Sequence, residues 1–194
     1  FSLVNWGCSP PRPSISQQLH VLADSVEASL SLLTAPTETE AREAFQWADA
    51  QYREFNLLLE DGGVAVTKEE GAIISDVSRA RRLLKDQAKR RSSLPKSTER
   101  TLKQLRGLAN ALSNGAQVDA SGNPIDSAYI ARETATETNI ARNLINALKE
   151  TQDLARRAIA LRSEVEAWSD SLQTICRGRP ARAILEGTDN TPVE

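Results

Sequence analysis

The chain has 194 residues, of which 40% are hydrophobic and 26% are charged, and its formal net charge is −2. This balance predicts a folded globular protein with a sizeable core rather than a disordered chain. Aromatic residues make up only 4%, so the core must be mainly aliphatic. The near-neutral charge gives no overall attraction to nucleic acid or membranes, and no apolar run approaches the roughly 18 residues of a membrane span.

The first part of the chain predicts an extended arm followed by a helix. Residues 1–13 include three prolines, which disfavour helix and favour extended geometry. Ser14 or Ser16 is expected to cap the first helix, which Pro36 ends. The apolar stripe of this helix consists of Ile15, Leu19, Leu22, Val26, Leu30 and Leu33.

Two capping boxes, each a threonine followed three residues later by glutamate, predict the starts of the second and third helices. They are Thr37 with Glu40 and Thr67 with Glu70. The second helix is expected to end at residues 61–63, which are Asp-Gly-Gly. The third is expected to end at residues 92–95, because the residue before Pro95 disfavours the helical region.

A fourth helix is predicted from about Lys96 to Leu112, and a long loop follows at residues 113–126, where glycine and Asn-Pro recur. Asp126 or Ser127 is expected to cap a fifth helix that continues to Cys176. A polar tail is predicted at residues 178–194.

The fifth helix carries a heptad pattern, with apolar or small residues at alternating spacings of four and three. These residues are Ile140, Leu144, Ala147, Thr151, Leu154, Ala158, Leu161, Val165, Trp168, Leu172 and Ile175. With Leu144 at position a, Ala141, Leu148 and Ala155 widen the stripe at position e. That width is typical of a coiled-coil-like helix inside a bundle.

These elements predict an all-α protein, an elongated up-and-down bundle of about five helices. The simplest arrangement places two hairpins, the first with the second helix and the third with the fourth, along the fifth. In the competing arrangement, the fifth helix packs around a four-helix bundle. Either way, we expect one helical domain at residues 14–177, flanked by the arm and the tail.

Catalytic and metal-binding chemistry is sparse. His20 is the only histidine, so zinc sites, di-iron sites and histidine-based triads all lack ligands or bases. No phosphate-binding glycine loop occurs. We therefore expect a protein that is not an enzyme, has no cofactor or metal, and has no small-molecule substrate.

The two cysteines, Cys8 and Cys176, leave three alternatives open: free thiols, a disulfide between arm and helix, or a lipid-modified Cys8. The chain contains no methionine. We expect a processed N-terminus and a location outside the cytosol, which is periplasmic, extracellular or in an organelle lumen.

Charge is divided along the chain. Residues 37–70 contain nine acids and three bases, whereas residues 79–106 contain eleven bases and two acids. The bases are Arg79, Arg81, Arg82, Lys85, Lys89, Arg90, Arg91, Lys96, Arg100, Lys103 and Arg106. They could form an anion-binding surface, but we favour neutralisation by the acidic second helix. No aromatic residue is interleaved, so nucleic acid is not expected as a partner.

Glu133 and Glu137 extend the heptad line toward the start of the fifth helix. Such a pair can bind a cation or transfer protons, with oxygen ligands from nearby asparagines. The simpler interpretation, which we adopt, is that the packed seam ends here and the helix end is solvated.

Three functional hypotheses follow. The first is a non-catalytic scaffold or accessory subunit that acts through protein–protein contacts in a larger assembly. The second is a membrane- or envelope-associated protein, tethered at Cys8, whose basic residues contact anionic surfaces. The third is a ligand carrier or enzyme with a cavity beside Ala147, Thr151 and Ala158.

Overall fold

The computed structural model describes residues 14–180, and this part of the chain is an all-α helical bundle, as predicted. The arm with Cys8 and residues 181–194 of the predicted tail lie outside the described residues. The α-helices are α1 (Ile15–Leu30), α2 (Glu38–Asn56), α3 (Lys68–Leu84), α4 (Gln87–Ser113) and α5 (Ser127–Arg177). A 3-10 turn, Ser31–Thr34, follows α1, and a π-helical turn, Leu57–Asp61, follows α2.

The helix starts are where the capping residues predict them. Ser14 caps α1, and both capping boxes form, with the Thr37 and Thr67 hydroxyls accepting from the amides three residues later. Asp126 caps α5, because its carboxylate accepts a hydrogen bond from the Tyr129 amide at 2.7 Å. Each cap satisfies an amide that the helix itself leaves without a partner.

The predicted break at Pro95 is wrong, because Pro95 lies inside α4. The chain turns instead at residues 85–86, between α3 and α4. A proline inside a helix costs about 3 kcal/mol, so other contacts must hold this segment helical. The Arg91 guanidinium, one turn earlier, donates to the Leu33 carbonyl at 2.7 Å, and Thr98, one turn later, is buried.

The described residues form two units, and unit 1 comprises residues 14–35 and 89–152. Its core brings together α1, α4 and the first half of α5, with Leu19, Leu105 and Leu148 fully buried. The start of α1 lies beside the end of α4, where the Ser16 hydroxyl donates to the Ala109 carbonyl at 2.9 Å. These two helices are therefore antiparallel.

Unit 2 comprises residues 36–88 and 153–180 and contains α2, α3 and the second half of α5. One end of its core is rich in alanine, which lets the three helices approach closely. The other end is built around Phe55, which is fully buried beside Val77 and Leu172. The buried Ser169 donates to the Gln51 side chain at 2.7 Å and so fixes α5 against α2.

The helices pair differently from the hairpins that we expected. Within unit 2, α2 packs against α3, and within unit 1, α4 packs against α1. The partners inside each unit therefore differ from the expected pairing of first with second and third with fourth, whereas the all-α bundle is confirmed. Whether residues 14–177 act as one domain stays a prediction.

The buried face of α5 is also rotated from the predicted one. From Glu137 to Cys176, positions a and e are buried except at Arg162, which is partly exposed. Two glutamines at position b, Gln152 and Gln173, are buried as well. Position d lies at the edge, where Trp168 is 66% exposed, Ile175 50% and Ile140 39%. The a/d seam typical of a coiled coil is therefore not present in α5.

Candidate functional sites

The basic residues of the predicted patch fall into two groups, those held in contacts within their own unit and those without an ion pair to residues 14–180. Several lie in ion pairs within their own units, as the neutralisation hypothesis predicted for Arg81, whose Nε lies 2.7 Å from an Asp49 oxygen. The other pairs are Arg79 with Asp76, Arg90 with Glu150, and Arg106 with Glu27. Arg91 is buried. These five bases are therefore committed to structural contacts.

Six bases of the patch are exposed and have no ion pair with any residue of 14–180. Arg82 and Lys85 belong to unit 2, whereas Lys89, Lys96, Arg100 and Lys103 belong to unit 1. At 3.6 residues per turn, the four unit 1 bases fall within an arc of about 60° on one face of α4. We call these four residues the α4 basic stripe. It is about 21 Å long, at 1.5 Å per residue.

The acidic pair does not lie at a solvated helix end, so that interpretation was wrong for Glu137. Its side chain is buried, and the residue is only 8% exposed. The carboxylate oxygen Oε2 has no hydrogen-bond partner. Burial, and then the negative charge of Glu133, raise the pKa of Glu137. Glu133 itself is paired with Arg132 at 2.9 Å.

Cys176 is 1% exposed in the core of unit 2, and it forms no disulfide with any residue of 14–180. Burial raises the pKa of the thiol, so the nucleophilic thiolate is disfavoured.

Beyond the thiol, Arg179 donates two hydrogen bonds to the Glu70 carboxylate, at 2.6 and 2.8 Å. This ion pair lowers the pKa of Glu70 to about 2 and joins the end of α5 to the start of α3. The alternatives that involve Cys8 stay predictions.

The other predicted sites show no assembled chemistry. His20 is half-buried on α1, and no group of three or more metal-ligating side chains occurs within residues 14–180. Ala158 is fully buried among the alanines of unit 2, and Thr151 is fully buried in unit 1. Ala147 is half-buried, and whether a cavity lies beside these three residues stays a prediction. No helix between residues 14 and 180 is long and apolar enough to span a membrane.

The second half of α5 has an exposed surface at Trp168 and Ile175, which the heptad pattern predicted to be in the core. Around them the exposed side chains are small and uncharged apart from Glu164. We call this surface the Trp168 face, and it consists of Ala160, Leu161, Glu164, Ala167, Trp168, Ser171, Thr174, Ile175 and Gly178. The helical periodicity of α5 was predicted correctly, but the neighbouring helices cover the side of α5 at positions a and e and leave Trp168, at position d, exposed.

No protein-family model matches the chain, and no curated protein or solved structure is significantly similar to it.

Proposed function

We propose that this protein is a non-catalytic helical accessory or scaffold subunit that binds another protein chain through the Trp168 face. The observation that carries this proposal is the exposure of Trp168, which is 66% accessible in the middle of an almost uncharged helix face. Charge depletion and exposed aromatic residues are typical of the centres of protein interfaces.

The energetics support a contact centred on this side chain. A tryptophan buries about 200 Å² when it is fully covered, so covering its exposed two-thirds removes about 130 Å² from water. At about 25 cal/mol per Å², that is about 3 kcal/mol, which is the size of an interface hot spot. The small residues Ala167, Ser171 and Thr174 would let a partner backbone approach closely.

The shape of this face fits an α-helix of the partner. Trp168 and Ile175 are seven residues apart on α5, so about 10.5 Å of helix separates them. An aliphatic side chain from a crossing helix would lie in the space between them, above Ser171. A partner helix with few charges on that side would leave no buried charge unpaired.

A photo-cross-linking residue tests this contact at two matched serines. Ser171 lies on the Trp168 face, and Ser75 lies on the exposed side of α3 in the same unit. With p-benzoylphenylalanine at position 171, we expect one discrete species, heavier than the monomer, in the cells that naturally make the protein. The same residue at position 75 should give none, and adding Trp168→Ala to the position 171 variant should abolish the species.

Three results would contradict the proposal. They are equal cross-linking at both serines, cross-linking only within the chain to residues 1–13, and a product of twice the monomer mass. The last would assign the face to a second copy of the chain. Native mass spectrometry of the purified protein and its partner then gives the stoichiometry.

A second candidate function is binding to an anionic membrane surface, and the α4 basic stripe favours it. Its four cations are exposed, lie on one face and have no ion pair with residues 14–180. A basic residue near an anionic bilayer contributes about 1 kcal/mol. Three such residues would therefore strengthen vesicle binding by about 3 kcal/mol at low salt. The tether at Cys8 belongs to this candidate, and the intact mass of the native protein tests it.

Co-sedimentation with vesicles of phosphatidylserine and phosphatidylcholine tests the stripe. The variant Lys96→Gln/Arg100→Gln/Lys103→Gln should bind at least tenfold more weakly than the unaltered protein. A control, Lys68→Gln/Arg142→Gln/Arg156→Gln, removes three exposed cations elsewhere and should bind normally. Equal losses in both variants would show that only net charge matters, and salt-independent binding would exclude the electrostatic contact.

A further inference from the structure

Unit 1 contains an open cleft of about 450 Å³ on the side of α4 and α5 that the loop at residues 114–126 covers. Its walls come from three separate segments of the chain. α4 contributes Gln104, Gly107, Leu108 and Ala111, the loop contributes Val118, Asp119, Ala120 and Ile125, and α5 contributes Tyr129, Glu133 and Glu137. This volume is in the range of small-molecule sites, which is about 300–1,000 Å³.

Glu137 is the buried acidic group of the cleft. The residue is 8% exposed, whereas Gln104, Gly107 and Ala120 are exposed at the opening. Its Oε2 atom has no hydrogen-bond partner within the described chain. Buried carboxyl groups are almost always paired, because an unpaired polar atom away from water is costly. Glu137 Oε2 therefore needs a hydrogen-bond donor, and no described residue of unit 1 supplies one.

The other acidic groups at the cleft already have partners. The Asp119 carboxylate accepts from the amides of Ser121 and Asn123, both at 2.8 Å. Glu133 accepts from Arg132, whose guanidinium also lies over the Tyr129 ring, 5.5 Å from its centroid. The cleft thus has an excess of negative charge, and that charge is least compensated at Glu137.

Gly107 forms part of the wall of the cleft. It lies in the interior of α4, where glycine is less favourable than alanine because it leaves the unfolded backbone more freedom to lose. Its φ angle is ordinary for a helix, and a Cβ atom added there would meet nothing within 4 Å. Neither backbone geometry nor crowding therefore requires glycine at this position. A larger side chain would extend into the cleft.

The remaining walls are mainly apolar, from Leu108, Ala111, Val118 and Ile125, with the ring of Tyr129 beside them. A bare metal ion would need several oxygen ligands, and no group of three or more metal-ligating side chains occurs within residues 14–180. A cation with an apolar body matches these walls better, because it can cover them while its charged end reaches the carboxylate.

We propose that this cleft binds a small organic cation, a primary ammonium group on a short apolar body. The ammonium donates to Glu137 Oε2, and its remaining hydrogens can reach Glu133 or solvent. The apolar body lies against Leu108, Ala111 and Ile125. Hydrogen bonds between ions are stronger than neutral ones, so the ammonium supplies what Glu137 lacks. The composition of the chain gave no reason to expect a small-molecule ligand.

Phenethylammonium chloride is the probe, and 2-phenylethanol is its neutral match in size and shape. Amide chemical shifts of unit 1 are followed by NMR while each compound is added to the full chain. We expect saturable shifts at Gly107, Ala111 and Tyr129, with the amine binding at least tenfold more tightly than the alcohol. Equal affinity for the two compounds, or no saturable shift, would overturn the proposal.

Two variants locate the site, and one matched control shows that the protein is folded. Glu137→Gln should remove the preference for the amine while its melting temperature stays the same or rises. Gly107→Phe should abolish binding by filling the cleft. Gly71→Phe, at the corresponding kind of open helical glycine in unit 2, should bind normally.

Unchanged amine affinity in Glu137→Gln would refute the contact with the carboxylate. N-acetyl-lysine methylamide represents a lysine side chain of a partner protein. If it binds more tightly than phenethylammonium, the cleft binds a partner's lysine, and the proposal of a small organic cation is overturned.

Discussion

Replacing Glu137 with glutamine should stabilise the protein at neutral and alkaline pH, although it removes a native side chain from a buried position. The charged carboxylate is disfavoured where it stands, because the residue is 8% exposed and Oε2 has no donor. Glutamine keeps the shape of the side chain and removes the charge. The expected gain in the free energy of unfolding is about 1 kcal/mol, the lower end of the cost of an unsatisfied buried group, because glutamine is still polar.

The gain in the free energy of unfolding from Glu137→Gln should increase as the pH rises. Burial and Glu133 raise the folded-state pKa of Glu137 above its usual 4.5. Between the unfolded and folded pKa values the folded state binds more protons, so stability falls as pH rises through this window. Glutamine has no proton to lose. The stability difference between variant and unaltered protein should therefore be small at pH 4 and reach its full value above the folded pKa.

Urea unfolding followed by circular dichroism at several pH values measures this difference. Hydrogen exchange at Ala141 and Leu144 reports unit 1 separately. The control is Glu164→Gln, which alters an exposed glutamate of the same helix and should change stability by less than about 0.5 kcal/mol at every pH. A destabilised Glu137→Gln variant, or a difference that does not grow with pH, would refute the account of Glu137 as a strained buried acid.

Three further predictions concern unit 2. Phe55→Ala should destabilise by about 3–5 kcal/mol in urea unfolding, whereas Leu57→Ala, at a 56% exposed residue, should change stability little. Carbon-detected NMR should show that Glu70 titrates with a pKa of about 2, and Arg179→Ala should raise that pKa. The ion pair of Glu70 with Arg179 therefore stabilises the folded protein fully above pH 4.5, and this contribution is lost as the pH falls toward about 2. With the other cysteine changed to serine, Cys176 should react with a thiol reagent only as unit 2 opens, and fast labelling of the folded protein would contradict its burial.

Helix starts could be predicted from the sequence because a cap is a local interaction. Thr37 and Thr67 each reach an amide three residues away, and Asp126 reaches the Tyr129 amide at the same spacing. Such contacts form whatever the rest of the chain does. The length of α5 was predictable for the same reason, since no proline or glycine interrupts residues 127–177.

The heptad pattern of α5 does not determine which side of the helix is buried. Heptad spacing identified a helix with an apolar side, but Trp168 and Leu172 fit that stripe equally well. Only Leu172 is buried, because α2 and α3 cover the side centred on positions a and e. Which side is covered depends on helices that are distant in sequence. The helix at Pro95 also depends on residues distant in sequence, because contacts of the flanking turns, such as that of Arg91 with Leu33, keep α4 continuous.

The sequence by itself therefore determined that this protein is all-α, where most of its helices begin, and that α5 is long. These properties follow from hydrogen bonds and side-chain periods within a few residues. Only the tertiary structure decided that α1 packs with α4, that Trp168 is exposed, and that Glu137 is buried without a donor. The cleft at Glu137 combines residues near positions 107, 120 and 133, and packing between distant segments creates it.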